Sequence, residues 1–193
     1  MSSGAKARPS SMNEVTPVPV PGWIFRVARL RVKVGFGVAV GAFWLAQPSW
    51  LSLGVGAGIG MVGECLRVWA AGHLEKGLEV TTSGPYGLVR HPLYTGSTLL
   101  GVAFAIASRH LLASVLVVLY LSIALSVAAR LEEATLRVKF GPSYDRYARG
   151  DTTAGLRRFS IARVRRNGEI RSALGLVAGL LVLAFKVVFA DCC

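Results

Sequence analysis

The sequence predicts an all-helical integral membrane protein that forms one domain with about five transmembrane helices. Hydrophobic residues account for 53% of the 193 positions, and charged residues for only 17%. The mean hydropathy of +0.52 is too high for an ordinary soluble domain of this length. Several apolar stretches also reach the roughly 20 residues that a helix needs to cross about 30 Å of hydrocarbon. The chain therefore belongs in a membrane.

The first two spans are predicted over about residues 30–47 and 50–71. The run from Val34 to Gly63 carries no charge but is interrupted by Gln47-Pro48-Ser49. Because proline biases the residue before it away from helix, this tripeptide predicts a turn between two spans.

The next apolar run predicts a second hairpin, because Leu93 to Ala129 is too long for one span and is broken by Arg109-His110. A fifth span is predicted over about 172–190, where Lys186 lies near enough to the end to reach the interface. The predicted organisation is a disordered tail (1–22), a membrane core (23–150), a basic segment (151–171) and an additional C-terminal span (172–193).

The positive charges predict the orientation. The net charge is +12, and short loops rich in Lys and Arg stay in the cytoplasm. Most cations fall in the N-terminal region, the 73–91 loop and the 130–171 segment, all on one side of the predicted spans. We therefore expect these parts to face the cytoplasm and the C terminus to lie outside. Because the cations flank spans, they favour the bilayer surface as partner and not nucleic acid.

A polar motif precedes the second hairpin. Pro92 suits the first turn of the third span and would hold His91 at the mouth of that helix. Two tyrosines, an arginine, a histidine and a small glycine converge there within about three helical turns: Tyr86, Arg90, His91, Tyr94 and Gly96. Taken singly, each tyrosine is also compatible with an interfacial aromatic belt.

Two adjacent acids, Glu132 and Glu133, are predicted to end the fourth span on the same membrane face as His91, because a hairpin returns the chain to the side it left. Adjacent helical positions point about 100° apart, so we expect one acid to bind a ligand and the other to orient a neighbour. The alternative is a solvated helix end paired with nearby arginines.

Two further segments carry charge near the predicted site. Glu64 and Arg67 share one helix face near the inner end of the second span, and predict either a structural ion pair or an Arg67 that binds a carboxylate. Residues 139–147 combine aromatics and cations and predict an amphipathic segment lying on the membrane. The three cysteines match no metal-ligand spacing, so we predict no metal site.

The ordered series Arg90-His91-Pro92-Leu93-Tyr94-Thr95-Gly96, Glu132-Glu133 and Phe140-Gly141-Pro142-Ser143-Tyr144-Asp145-Arg146-Tyr147 resembles the isoprenylcysteine carboxyl methyltransferase family and its phospholipid N-methyltransferase relatives. The similarity covers about residues 60–150, which makes the membrane core methyltransferase-like. The Leu66-Arg67-Val68-Trp69-Ala70 segment is similar to bacterial members, so we expect a bacterial inner membrane.

The resemblance implies a pocket for S-adenosylmethionine at the cytoplasmic face, open sideways to lipid. It assigns cofactor binding to Tyr86, Val89, His91, Pro92, Tyr94, Gly96, Glu132 and Glu133. Arg67 and Arg90 are the candidates for orienting an acidic substrate during catalysis. Methyl transfer from a sulfonium mainly requires alignment and exclusion of water, so no metal or catalytic triad is needed.

The leading functional hypothesis is O-methylation of a carboxylate on a lipid or a lipidated, isoprenylcysteine-like substrate. N-methylation of a phospholipid amine is its closest rival. Two other classes stay open: a membrane reductase that uses NADPH, and a nonenzymatic membrane scaffold or transport component. The oligomeric state is left undetermined by these patterns.

Overall fold

The fold, taken from a computed structural model, is an assembly of α-helices without a strand among the residues that the structure describes, 22–151, 153 and 155–192. The predicted all-helical class is confirmed, while the predicted tail lies almost entirely outside these residues. The helices are α1 (Gly22–Leu45), α2 (Trp50–His73), α3 (Pro92–Ser108), α4 (Leu111–Phe140), α5 (Pro142–Arg149), α6 (Ile161–Arg166) and α7 (Glu169–Cys192), with a 3-10 turn at Gly84–Gly87.

Three helices of the described chain are long and apolar enough to cross a membrane: α2, α4 and the Glu169–Ala190 part of α7. α3 is also apolar but has only 17 residues. Together with α1, these helices lie where the five spans are predicted. α1 begins at Gly22, well before the predicted start of its span at residue 30, and the count of five spans stays a prediction.

The predicted turn between the first two spans is confirmed. α2 begins with a capping box, because the Ser49 side chain accepts a hydrogen bond from the Ser52 backbone and the Ser52 side chain accepts one from the Ser49 backbone. The backbone N–H of Gln47 also donates to the carbonyl of Ser108 over 2.8 Å. The turn is therefore tied to the far end of α3.

The break at Arg109-His110 is confirmed, since Arg109 takes a left-handed conformation (φ 50°) that ends α3. α4 then runs for 30 residues, which at 1.5 Å per residue gives about 45 Å, more than the hydrocarbon thickness. Glu132 and Glu133, which are predicted to end the fourth span, do not end the helix. They lie inside α4, because nothing in residues 130–140 breaks the helix before Gly141 (φ 48°).

α2 and α3 pack with their backbones in direct contact. A Cβ added at Gly63 would lie 2.9 Å from the carbonyl oxygen of Gly96, and one added at Gly96 would lie 2.8 Å from the carbonyl oxygen of Gly63. Small residues allow this approach between apolar helices, where van der Waals packing drives association. The contact places Arg67 of α2 beside the first turns of α3.

α7 runs antiparallel to α2 from one end of the bundle to the other. Near its C-terminal end, Lys186 Nζ donates hydrogen bonds to the carbonyls of Phe43, Trp44 and Ala46 over 2.8, 2.9 and 2.6 Å. These are terminal carbonyls of α1 and its turn, which have no intrahelical partner and attract a cation. Lys186 is thus bound to the protein itself, a partner that the interfacial prediction did not foresee.

Candidate cofactor pocket

A cavity of about 600 Å³ lies where α2, α3, α4 and α5 meet the loop after α2. Of the ten residues predicted from the sequence, seven line this cavity: Arg67, Tyr86, Arg90, His91, Pro92, Tyr94 and Glu132. A second cavity of about 270 Å³, between α2, α3 and α7, has an almost wholly apolar lining. The larger cavity is therefore the candidate site.

The start of α3 holds the histidine in place. Pro92 occupies the first turn, where its missing N–H leaves no donor unpaired, and His91 stands just before the helix as predicted. Because the His91 side chain makes no capping bond, its Nε2 is free to reach Glu133 Oε1 at 3.0 Å. This contact joins α3 to α4.

The two acids of α4 point to different partners, as the helical geometry predicted. Glu132 lines the cavity and accepts a 2.6 Å hydrogen bond from the Tyr94 hydroxyl. Glu133 turns to His91 and to Arg137, whose Nη2 is 3.9 Å away. Glu132 is thus the acid that faces the cavity, and Glu133 holds the imidazole of His91.

Three predicted residues do not line the cavity: Val89, Gly96 and Glu133. The Val89 backbone donates to Pro85 over 3.0 Å and so helps close the 3-10 turn. At Gly96, a Cβ would lie 2.5 Å from Cγ of Arg67, so the glycine makes room for the arginine. Both residues shape the cavity wall without facing its contents.

Three tyrosines form the side of the cavity next to α5. The Tyr147 hydroxyl donates to the Tyr86 carbonyl over 2.9 Å, and Tyr144 is almost fully buried. Burial raises the pKa of Tyr147 to about 12 and, together with the Glu132 charge, raises the pKa of Tyr86 above its usual range. These phenols stay protonated at neutral pH. The predicted membrane-lying segment therefore turns its aromatic face to the protein.

The sequence did not predict one wall of the cavity. It consists of residues 74–81, which follow α2 and show no local pattern. Glu75 of this wall is held by Arg166 Nη2 at 2.6 Å and by Arg163 Nη1 at 3.5 Å, and Glu79 pairs with Arg157. All three arginines belong to residues 155–168, which we call the C-terminal strap. The arginines of the C-terminal strap therefore neutralise the two acids of this wall, Glu75 and Glu79.

The C-terminal strap also covers the exposed carbonyls at the end of α2. Asn167 Nδ2 donates to the carbonyls of Ala71 and Leu74 over 2.9 and 3.1 Å, and Arg163 Nε donates to that of Gly72 over 2.7 Å. These carbonyls have no intrahelical partner. The strap thus fixes both the end of α2 and the wall that continues from it.

α4 contributes more residues than its acids. Thr135, Leu136 and Lys139 also line the cavity, and they follow Glu132 at helical spacings of three, four and seven. This periodicity predicts that these residues lie on the same face as Glu132 once α4 is known to continue beyond the acids.

Several cations face the cavity without a carboxylate partner among the described residues. Lys76 lies on the neutralised wall, Arg90 precedes the histidine, and Lys139 reaches from α4. A Cβ at Gly77 would lie 3.4 Å from Lys139 Nζ, which brings this ammonium beside the wall. The cavity therefore offers unpaired positive charge near the wall and a carboxylate at Glu132.

Arg67 has more partners than predicted. Its Nη1 donates to Ser97 Oγ and to the Leu93 carbonyl over 2.5 and 3.3 Å. Its predicted partner Glu64 lies 4.0 Å from Nε, whereas Glu169 of α7 lies 2.7 Å from Nη2. The guanidinium is thus held by protein groups on two other helices.

The fold and the cavity define an all-helical membrane protein with a pocket that charged side chains line where its apolar helices end. A family model described as phospholipid methyltransferase matches residues 31–143, more than half of the chain. The chain belongs to the phospholipid methyltransferase family, which confirms the predicted relationship. It is therefore a membrane methyltransferase by family. The matched range ends before α6 and α7. No curated protein and no solved structure matches the chain.

Proposed function

We propose that this membrane protein uses S-adenosylmethionine to methylate a lipid whose reactive group enters the cavity from the bilayer. One observation carries the proposal. In a chain of the phospholipid methyltransferase family, the pairs His91–Glu133 and Tyr94–Glu132 join α3 to α4 along a cavity of about 600 Å³. That volume suits a small organic ligand, for which pockets span roughly 300–1,000 Å³.

The chemistry of the lining supports the cofactor. The Glu132 carboxylate suits an ammonium group, the unpaired Arg90 suits a carboxylate, and the rings of Tyr86 and Tyr94 suit a sulfonium cation. When bound, S-adenosylmethionine would supply an electrophilic methyl group. Because its amino acid part carries both charges, a cavity with both signs fits it better than one with a single sign.

The residues of the chain would act mainly by positioning. The two polar pairs between α3 and α4 fix the side chains before a ligand arrives, and the buried tyrosines limit the access of water. When the acceptor is a carboxylate, an in-line displacement needs little beyond this positioning and exclusion of water, because the nucleophile is already deprotonated. An amine acceptor must also lose a proton.

Two acceptors have support. A phospholipid amine is favoured by the family description and by the unpaired Lys76 and Lys139, which could bind a headgroup phosphate. A lipid-linked carboxylate is favoured by Arg90, which contacts no acid among the described residues. Arg67 supports the carboxylate less, because Glu169 and Glu64 already lie beside it. Family membership favours either acceptor over a reductase or a scaffold.

The one-sided distribution of cations supports a cytoplasmic cavity. The similarity of Leu66-Arg67-Val68-Trp69-Ala70 to bacterial members supports a bacterial inner membrane. We keep the predicted domain organisation, in which the membrane core corresponds to α1 to α5. Residues 155–168 of the basic segment also contact this core.

The first experiment measures S-adenosylmethionine binding to detergent-purified protein by calorimetry, with NADPH as the competing ligand. We expect saturable binding that falls about tenfold in His91→Ala, because Glu133 loses its partner and the entry to α3 is no longer fixed. The matched control is His110→Ala, which removes a histidine from the opposite end of α4. Binding of NADPH alone, or of neither ligand by folded protein, would contradict the proposal.

A further inference from the structure

The last helix places an acid against Arg67, which together with Leu93 and Ser97 forms the part of the cavity lining that we call the cavity floor. This helix lies beyond the family match. Glu169 is the first residue of α7 and is only 6% exposed. Its carboxylate lies 2.7 Å from Nη2 of Arg67, which lines the cavity. Arg67 is the cation that contacts this acid among the described residues.

Glu169 is one of the groups that hold the Arg67 guanidinium. The Nη1 group is bound to Ser97 and Leu93 of α3, and Nη2 is held by α7. A long arginine side chain loses rotamer entropy when it is fixed, so such a position needs strong partners. Without Glu169, Glu64 would be the remaining acid within reach, and the guanidinium would turn toward it.

The position of Glu169 is itself fixed. Two residues earlier, Asn167 binds the terminal carbonyls of α2 over 2.9 and 3.1 Å. One turn later, Ser172 donates a 2.8 Å hydrogen bond to Glu64 of α2. The start of α7 is therefore tied to α2 on both sides of the acid, which makes Glu169 a rigid support for Arg67.

We propose that Glu169 is a positioning residue for methyl transfer. By holding Arg67 at the cavity floor, it sets where the bound acceptor headgroup lies. Arg67 touches the contents of the cavity, and Glu169 acts through it. This inference rests on the proposed function, and it makes α7 part of the site although the family match ends at residue 143.

The kinetic test uses Glu169→Gln, which keeps the size of the side chain and removes its charge. We expect kcat/KM for methyl transfer to fall about tenfold or more, while S-adenosylmethionine binding changes less than about threefold. The matched control is Asp151→Asn, which removes the charge of an acid that pairs with Arg149 outside the cavity lining and leaves Arg67 and Glu169 paired. It should keep kcat/KM within about twofold. Wild-type kcat/KM in Glu169→Gln would overturn the proposal.

A charge exchange separates positioning from a purely structural tie. The double variant Arg67→Glu with Glu169→Arg restores opposite charges between α2 and α7 but moves the guanidinium to α7. We expect the unfolding temperature of the double variant to exceed that of either single variant, because the opposite charges are restored. We expect kcat/KM of the double variant to stay low. Full recovery of kcat/KM would mean that only the tie matters, and the positioning role would be wrong.

A readout without turnover separates this proposal from the proposed function. In 15N-labelled protein, the Arg67 Nε–H signal can be identified by its loss in Arg67→Lys. This group is buried, so its hydrogen should exchange slowly with water in wild type and in Asp151→Asn, and faster in Glu169→Gln. Unchanged exchange in Glu169→Gln would overturn the positioning role. Failure of wild type to bind S-adenosylmethionine would instead contradict the proposed function.

Discussion

Two adjacent carboxylates in α4 have different chemical environments. The Glu132 carboxylate faces the cavity with a tyrosine hydroxyl as its partner. Glu133 is surrounded by His91, Arg137 and the charge of Arg90, and the His91 hydrogen bond is its main interaction. One residue along a helix changes the direction of a side chain by about 100°, and here that rotation separates an acid that lines the cavity from an acid that contacts His91.

This difference predicts unequal effects of removing each charge. Glu132→Gln should weaken S-adenosylmethionine binding about tenfold or more, because a hydrogen bond to a charged group contributes about 1.5–3 kcal/mol. Glu133→Gln should weaken it less, since this carboxylate acts through His91. Calorimetry on both variants checks the order. A larger loss in Glu133→Gln would reverse the two roles.

At the scale of elements, the site depends on the close packing of α2 against α3. The backbone contact between Gly63 and Gly96 brings Arg67 beside Ser97 and Leu93 at the cavity floor. Larger residues at this contact would separate the helices, because helix backbones cannot yield as a flexible side chain can. The glycines therefore place charged groups that lie a turn or more away.

A substitution pair within α2 tests this packing. Gly63→Val should destabilise the protein by about 1–3 kcal/mol and weaken cofactor binding, because its side chain would overlap the backbone of α3. In Gly58→Val, nothing lies within 4 Å of the added Cβ, so we expect only a small loss of stability. The measurement is the unfolding temperature in detergent. Equal losses in both variants would contradict the role of the contact.

For the whole molecule, local patterns predicted the parts of the site that are near in sequence. The Pro92 signal located the start of α3 with His91 before it, and the spacing of Glu64 and Arg67 predicted their pairing. Glu169 could not be found in this way, since its contact with Arg67 joins two residues that lie 102 positions apart in the sequence.

The charged residues 130–140 also obscured how far α4 extends. Residues 130–140 look like the end of a membrane span because they are charged, yet they continue α4 past the acids. The wall at residues 74–81 has no periodicity, and it is held by the arginines of the C-terminal strap. Such contacts depend on tertiary packing, which no single segment of sequence encodes.

The most direct test of the account is methyl transfer itself. Purified protein in nanodiscs would receive S-adenosylmethionine with a radiolabelled methyl group, with either an aminophospholipid or a lipid-linked carboxylate as acceptor. We predict label in a lipid product with wild type and a loss of at least about tenfold with Glu132→Gln. Protein that binds S-adenosylmethionine but labels neither acceptor would narrow the search to other lipids. Folded protein that neither binds nor transfers would contradict the account.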